Sequence, residues 1–585
     1  MDGFIEEHEV NGSLEKWVII TPNLDSEDEN VSSEEEDSDD DTPLADLIPL
    51  SDLMPLSDIA ATSAAENSAK QHVYRWGKRA PPVKERIFKG DETLTGFEEM
   101  ENPIDFFHLF FDKEMINLIA EQTNLYSTQC NLNKGSIGVS SQEIKNFIGI
   151  LLKMCIVQMP RYRMYWENCT RYDNVAKVMS RNRFEEIKRF LHFVDNSTRP
   201  LQGSPDTDKL FKIRPLFEKL RKNCLQIKPE EHNSIDEQMI PFKGRSSLRR
   251  YLPKKPKKWG FKLFSRNGQS GFCYDFDMEG APNPNAPSIE SCGYVAGDMV
   301  LKLASTLPEG QNYKLYFDNY FNFLELLLRL KESKFWAIGT LRQGRLRGCQ
   351  LKTEKELKKE GRGSFDASVD LNSGLTVVRW FDNKMVQFAS NFAYTEPVDQ
   401  VRRWCSSERK HIEVARPAIV EAYNRGMGFV DLFDMFKALY RMEHRSRKGY
   451  MRIFFWILGT CLINAWILYR RLAKQKQVPK TKQTDLLDFT SLVAESLVKE
   501  VVEKRGRGRP SNEGAESLQR PRKAPKMQGP GAATRFDGKE HWPVHRQDRP
   551  RCFQCGEKTR LGCQKCEKGL CLTDKRNCFL SFHKK

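Results

Sequence analysis

The sequence predicts a multidomain α/β protein in which helical segments flank a strand-rich region and a small cysteine-rich domain follows. Three observations point to this. Apolar residues recur at helical spacing over residues 100–230 and 427–475, short apolar runs of strand length fill 232–343, and six of the fifteen cysteines fall in the last 34 residues. A chain of 585 residues exceeds what one core organises, and a hydrophobic content of 39% is enough for several cores. The net charge of +14 suggests a polyanionic partner.

Residues 1–95 read as an acidic, disordered tail. The run DSEDENVSSEEEDSDDD, Asp25 to Asp41, repels itself and buries nothing to offset its ordering entropy. It suits a solvated tail, or one that competes for basic surfaces of the same chain. The opening MDGFIEEHEV has neither the basic nor the apolar region of a secretory signal. With nine cysteines scattered singly, it points to a reducing compartment.

Residues 96–231 and 441–500 read as helical. NPIDFFHLFFDKEMINLIAEQTNLYS, SQEIKNFIGILLKMCIVQMPRYRMYW, SRNRFEEIKRFLHFVDN and LFKIRPLFEKLRKNCLQI all show the pattern, and Ser140 or Ser141 is placed to cap the second. The uncharged stretch Ile453–Tyr469 is at the short limit for a membrane span and contains Thr460 and Asn464, so it reads as a buried core helix. Between these regions HNSIDEQMIPF, KWGFKLFSRN, SGFCYDFDM and YKLYFDNYF read as strands, with a helix in NFLELLLRLKES. Residues 344–417 are mixed and charged, with a strand pair in TVVRWFDNKMVQFASNF. Residues 501–548 read as a basic linker. Arg507-Gly508-Arg509-Pro510 there is the core of an AT-hook, and with RPRKAPK (Arg520 to Lys526) it equally suits nuclear import.

Two acids sit in apolar strand context: Asp236 in NSIDEQMI, and Asp318 at the end of an aromatic strand before a helix. Each suits a salt-bridged or turn aspartate, and each suits a metal ligand, since a buried carboxylate needs a partner. Asp431 and Asp434 in GMGFVDLFDMF are three apart and share a helical face, with Gly426 and Gly428 before them. Eight Lys or Arg fall within Arg245 to Lys262, interleaved with Tyr251, Trp259 and Phe261, a mixture that suits phosphate neutralisation and base stacking. Arg249, Arg250, Lys254, Lys255, Lys257, Lys258 and Lys262 are the candidate contacts there. Arg445, Arg447, Lys448 and Tyr450 in RSRKGYMRIF form a second set.

In the tail, Cys552-x2-Cys555 and Cys563-x2-Cys566 are followed by Cys571, Cys578 and His583, a pattern that suits zinc. One ion held by the two CxxC pairs is one reading. The other has two ions, one on Cys552, Cys555 and Cys571, the second on Cys563, Cys566, Cys578 and His583.

SIDEQMIPFKGR, YLPKKPKKWGFKLF, YFDNYF, RGSFDA and N-x-x-MGFVDLFD occur in this order over residues 100–475 and resemble the signature blocks of the piggyBac transposase family. The resemblance implies an RNase H-like catalytic core over 232–343 and 418–440, interrupted by an insertion at 344–417. It also implies a helical dimerisation and DNA-binding domain from the segments before and after, and a Cys-rich zinc domain over 549–585. It makes Asp236, Asp318 and Asp431 the catalytic aspartates, binding two Mg²⁺ or Mn²⁺ ions, and Asp434 a further important acid. Asp574 stands where the founding pattern has a histidine, which makes it or a water the fourth ligand of the first zinc.

The implied activity is nuclear cut-and-paste transposition by a homodimer, without membrane association. It cuts double-stranded DNA at transposon terminal inverted repeats, passes through hairpins and integrates at TTAA. Two positions depart from the family. Phe429 replaces a second glycine, and Gly449–Tyr450 replaces a tryptophan that aids hairpin distortion, leaving Tyr450 to stack there. The alternative reading is a domesticated, catalytically silent DNA-binding protein. A zinc-finger interaction protein is a third, which leaves the ordered aspartate blocks unexplained.

Overall fold

The computed structural model describes residues 4–10, 13–19, 72–79, 86–130, 135–200, 208–253, 255–281, 289–442, 444, 446–499, 535–536 and 540–584. The acidic run at 25–41 and the basic segments at 504–510 and 520–526 lie outside these. Two compact units divide the chain, residues 1–504 and 505–585.

In the first unit the helices α1 (Pro103–Phe110), α2 (Lys113–Cys130), α3 (Ser141–Ile156), α4 (Arg181–Phe190) and α5 (Arg214–Leu225) precede the sheet. Ser140 caps α3: its Oγ accepts the Glu143 N–H at 3.2 Å, and the Glu143 carboxylate accepts the Ser140 N–H at 3.1 Å. Apolar faces such as Phe106, Phe107 and Phe110 of α1 are fully buried.

The central sheet comprises β1 (His232–Pro241), β2 (Arg249–Tyr251), β3 (Trp259–Gly268), β4 (Cys273–Met278), β5 (Lys314–Phe317), β6 (Trp336–Thr340), β7 (Phe365–Asp370), β8 (Thr376–Phe381) and β9 (Met385–Ser390), plus an edge strand, Trp76–Gly77. Its order is Trp76–Gly77, β7, β8, β9, β6, β5, β1, β3, β2, with β4 also on β3. β1, β3 and β4 form an antiparallel set, and β5 and β6 run parallel beyond β1. Helices α6 (Val295–Ala304) and α7 (Leu324–Glu332) flank β5 in sequence. Their leucines pack on Ile235, Leu315, Phe317 and Ala337, which explains the near-continuous apolar strands.

Two sequence boundaries move. Residues 344–417 do not stand apart: β9 pairs with β6, so β7 to β9 extend the central sheet, leaving only the ribbon β10 (Val398–Cys405) and β11 (Lys410–Pro417) as a separate ladder. The tail assigned to residues 1–95 also contains ordered chain. Trp76–Gly77 pairs with β7, and the fully buried Asp370 carboxylate accepts the Arg75 N–H at 2.6 Å and lies 2.7 Å from the His72 ring. Tyr74 stacks on Trp76, which supplies apolar area that the acidic run lacks. Within the same stretch Phe4–Val10 and Ser13–Ile19 form a two-stranded ladder.

The chain then continues through α8 (Ala418–Gly426), α9 (Phe429–Leu439), α10 (Gly449–Gln475) and α11 (Leu486–Lys499). Helix α10 is long and apolar enough to cross a membrane, but every residue from Ile453 to Leu468 except Gly459 is buried within the protein. Asn464, fully buried, donates to the Cys273 carbonyl at 2.8 Å and accepts the Cys273 N–H at 2.9 Å, closing off the free side of β4. α11 packs back on α3 at Gly149, where a Cβ would lie 3.0 Å from the Ala494 carbonyl oxygen. The helices before and after the sheet thus share one hydrophobic core.

Among its described residues the second unit has two short ladders, Pro543–His545 with Leu561–Cys563 and Leu572–Thr573 with Arg576–Asn577, and a helix α12 (Cys578–His583). Leu570, Phe582 and cysteines form its core.

Candidate active site and metal centres

The pairing of β1 with β5 brings two of the acids together. Ile235 lies opposite Phe317 in a parallel register, so the next residues, Asp236 and Asp318, leave adjacent strands side by side. Asp236 accepts the Glu237 N–H at 2.7 Å, and Asp318 accepts the Tyr320 N–H at 2.8 Å in the turn toward α7.

Helix α9 brings the third. Its N-cap residue, Gly428, has no side chain to offer, and the Val430 N–H is instead accepted by the buried Ser234 Oγ at 3.2 Å. Ser234 therefore caps α9 from β1. Ser234, Asp236 and Gln238 alternate onto one strand face, so the cap docks the first turn of α9, and with it the exposed Asp431, on the face that carries Asp236. Phe429 is buried and meets Tyr316 of β5 edge-on at 6.4 Å, anchoring the same turn.

The electrostatics are those of an unneutralised acidic set. Burial pushes the Asp236 carboxyl up to about 8, with repulsion from Glu237 and Asp318 adding to it. Burial also raises Asp318, again with help from Glu237. Lys255 reaches in to 3.2 Å from Glu237. Burial works against its charge, but Glu237, Asp236 and Asp431 outweigh it and raise its pKa. The three aspartates offer hard oxygen donors, a set that fits Mg²⁺ or Mn²⁺. Among the described residues, the groups whose donor atoms all lie within 4.8 Å of one another are both in the tail, so the aspartates form a wider, open set.

The predicted DNA contacts divide. Lys257, Lys258 and Arg447 are exposed. Arg249 stacks over Trp259 at 4.4 Å and donates to the carbonyls of Lys243 and Gly244, while Arg250 pairs with Glu279 at 3.1 Å. Lys262 is 6% exposed, with its ammonium 4.1 Å from the Tyr320 ring, so it is a core residue of the strand face and not a surface cation. Lys448 donates to the Arg189 carbonyl at 3.3 Å. Tyr450 meets Phe193 and His192 edge-on within the helical core, and a Cβ on neighbouring Gly449 would lie 3.0 Å from Phe261. Lys254 and Arg445 lie outside the described residues.

The tail gathers two tetrads, and they differ from the split that spacing suggested. Cys552, Cys555, Cys571 and Cys578 form one group; His541, Cys563, Cys566 and His583 form the other. The fourth place of the first, assigned to Asp574 or a water, is filled by Cys578, because the start of α12 carries that thiol to Cys571. The place Cys578 leaves is taken by His541, which precedes the first CxxC pair and so escaped a reading that began there. Asp574 is exposed.

Cys555 and Cys571 sulfurs are 3.4 Å apart, Cys571 and Cys552 3.7 Å, and His541 Nδ1 is 3.3 Å from Cys563 Sγ. A disulfide needs about 2 Å. The edges of a zinc tetrahedron with bonds of about 2.3 Å to sulfur and 2.0 Å to nitrogen are about 3.8 Å and 3.5 Å. Both tetrads fit tetrahedral zinc.

The family model described as Transposase IS4 matches residues 102–466. The human PiggyBac transposable element-derived protein 3 is 32% identical over 479 residues, covering 81% of this chain and 75% of that protein. The human PiggyBac transposable element-derived protein 2 is 31% identical over 461 residues, covering 78% and 72%. A cryo-EM structure of a piggyBac transposase synaptic complex with hairpin DNA matches with a TM-score of 0.56 at 22% identity. It covers 82% of this chain and 96% of that one, and shows a shared fold.

Proposed function

This chain belongs to the piggyBac transposase family, and on that premise we propose that it is a metal-dependent DNA transposase that cuts and joins DNA at transposon ends. The observation that carries this reading is the register that pairs Ile235 with Phe317, and so sets Asp236 beside Asp318, beneath a helix capped by Ser234 and bearing Asp431. We read β1, β3, β4, β5 and β6 as the RNase H-like core. Its acids sit on the first strand, at the end of the first parallel strand and on a later helix.

Asp236, Asp318 and Asp431 are the residues that would hold two Mg²⁺ or Mn²⁺ ions. Such ions, when bound, activate a water or 3′-hydroxyl and stabilise the leaving oxygen of an in-line displacement at phosphorus. The protein's part is positional. Ser234 keeps Asp431 over the sheet, the carboxyl of Asp236, raised to about 8 by burial, would give up its proton to a bound cation, and Lys257 and Lys258 neutralise phosphates beside it. In this reading the tail binds two Zn²⁺ and contacts transposon-end DNA, the enzyme works as a nuclear homodimer, and TTAA is its target.

A second reading is a domesticated DNA-binding protein. It is favoured by relatives that are transposable element-derived human proteins and by the two departures at Phe429 and Gly449. A plasmid excision assay separates the two. The transposase reading expects wild type to excise a TTAA-flanked element with its own ends, and Asp318→Asn to fail. Wild type that binds those ends without excising them supports domestication.

A further inference from the structure

Helix α9 is held to the sheet at both ends. Ser234 receives its first turn, and Lys437 holds its last. The Lys437 side chain is 17% exposed; its ammonium lies 5.0 Å from the Phe433 ring, 4.9 Å from the Trp456 ring and 3.4 Å from Gln238 Oε1. Gln238 is itself buried and fully engaged, accepting from Trp456 Nε1 at 3.1 Å and donating to Ser265 Oγ at 2.8 Å. It stands two residues from Asp236 on the same strand face. The carboxylate nearest to Lys437 is Asp434, at 3.8 Å.

We propose that Lys437, Gln238 and Asp434 form a clamp that positions Asp431, and that Asp434 is the counter-ion of this clamp and not a metal ligand. This rests on the reading of Asp236, Asp318 and Asp431 as the metal-binding set. Three residues advance a helix by about 300°, so Asp431 and Lys437 point about 120° apart with Asp434 between them. Asp431 serves the aspartates on its side, and Asp434 serves the ammonium on the other.

An ammonium withdrawn from water needs a negative partner, and two π faces and an amide oxygen supply only part of it. Burial brings Lys437 down to about 8, and Asp434 is the foremost group pulling it back up. The Asp434 side chain is 42% exposed; its partial burial raises it, and Lys437 is the foremost group lowering it. Each is the other's principal charge partner, and a cation held beside Asp434 would repel an ion bound there.

The test compares full-length wild type with Asp431→Asn, Asp434→Asn, Lys437→Met and the double variant Asp434→Asn/Lys437→Met. Thermal unfolding is followed with and without Mn²⁺ alone. Asp431→Asn is expected to lose the Mn²⁺-induced rise in Tm; if it keeps the full rise, the underlying metal-site reading fails. Asp434→Asn is expected to lower the metal-free Tm yet retain a Mn²⁺ rise, with apparent affinity within about tenfold of wild type. The double variant is expected to be more stable than Asp434→Asn alone, because methionine fills the Phe433–Trp456 slot without an unpaired charge. The proposal is overturned if Asp434→Asn loses the Mn²⁺ rise as completely as Asp431→Asn, or if the double variant is no more stable than Asp434→Asn.

Discussion

Replacing Ser234 with alanine removes one oxygen from a fully buried strand position and leaves the Val430 N–H without its acceptor. Gly428 has no side chain to take over, and the first-turn amides of a helix have no partner within it. Loss of such a cap costs about 1–2 kcal/mol, here as local stability of α9. That corresponds to opening that is about 5–30 times more frequent. Hydrogen exchange measured by mass spectrometry on Ser234→Ala is expected to accelerate by that factor over residues 429–434 while α3 and α11 keep their protection. Since Asp431 lies in the released turn, apparent Mn²⁺ affinity is expected to fall about tenfold, the usual size for a disturbed support of a metal ligand. Unchanged exchange in α9 would refute the capping argument. Faster exchange with unchanged Mn²⁺ affinity would refute the link between the cap and the site.

Other consequences are equally measurable. Asn464→Leu strips both Cys273 backbone groups of their partners, at about 1–3 kcal/mol each, so thermal unfolding should show a loss of about 2–6 kcal/mol; an unchanged Tm contradicts it. With divalent ions chelated, Asp236 keeps its proton in the folded chain up to about pH 8, whereas the unfolded chain releases it near 3.9. Stability should therefore fall as pH rises from 5 to 8, and Asp236→Asn should flatten that slope; equal slopes in the two proteins would exclude it. Elemental analysis of the full-length protein should give two zinc ions per chain, one in His541→Ala and two in Asp574→Ala. A single ion in wild type, or a loss in Asp574→Ala, overturns the assignment of the tetrads.

Much of this architecture can be read along the chain because local pattern and tertiary use coincide. The alternation in SIDEQ places Ser234, Asp236 and Gln238 on one face, and the capping pair Ser140 and Glu143 marks α3. Asn464 in a largely apolar run signals a partnered core helix. What is not legible depends on contacts remote in sequence. Spacing cannot foresee that Cys578 turns to Cys571, nor that His541, eleven residues before Cys552, comes back to Cys563. Residues 72–79 look like part of a tail because the partner that satisfies them, Asp370, lies about 300 residues on. Basic residues beside an acidic site look alike in sequence. Lys257 remains exposed, Lys262 is buried under Tyr320, and Lys255 turns inward to Glu237; only burial and partners distinguish them.

The most direct test of the central claim uses purified protein with a labelled duplex of its own transposon end, with Mn²⁺ added or chelated. Wild type is expected to cut the strand at the element boundary only with Mn²⁺. Asp236→Asn, Asp318→Asn and Asp431→Asn are each expected to bind the duplex within about threefold of wild type and leave it intact, since each removes a metal ligand and not a DNA contact. Wild type that binds and never cuts, or any one of the three variants that cuts at the wild-type rate, would contradict the account.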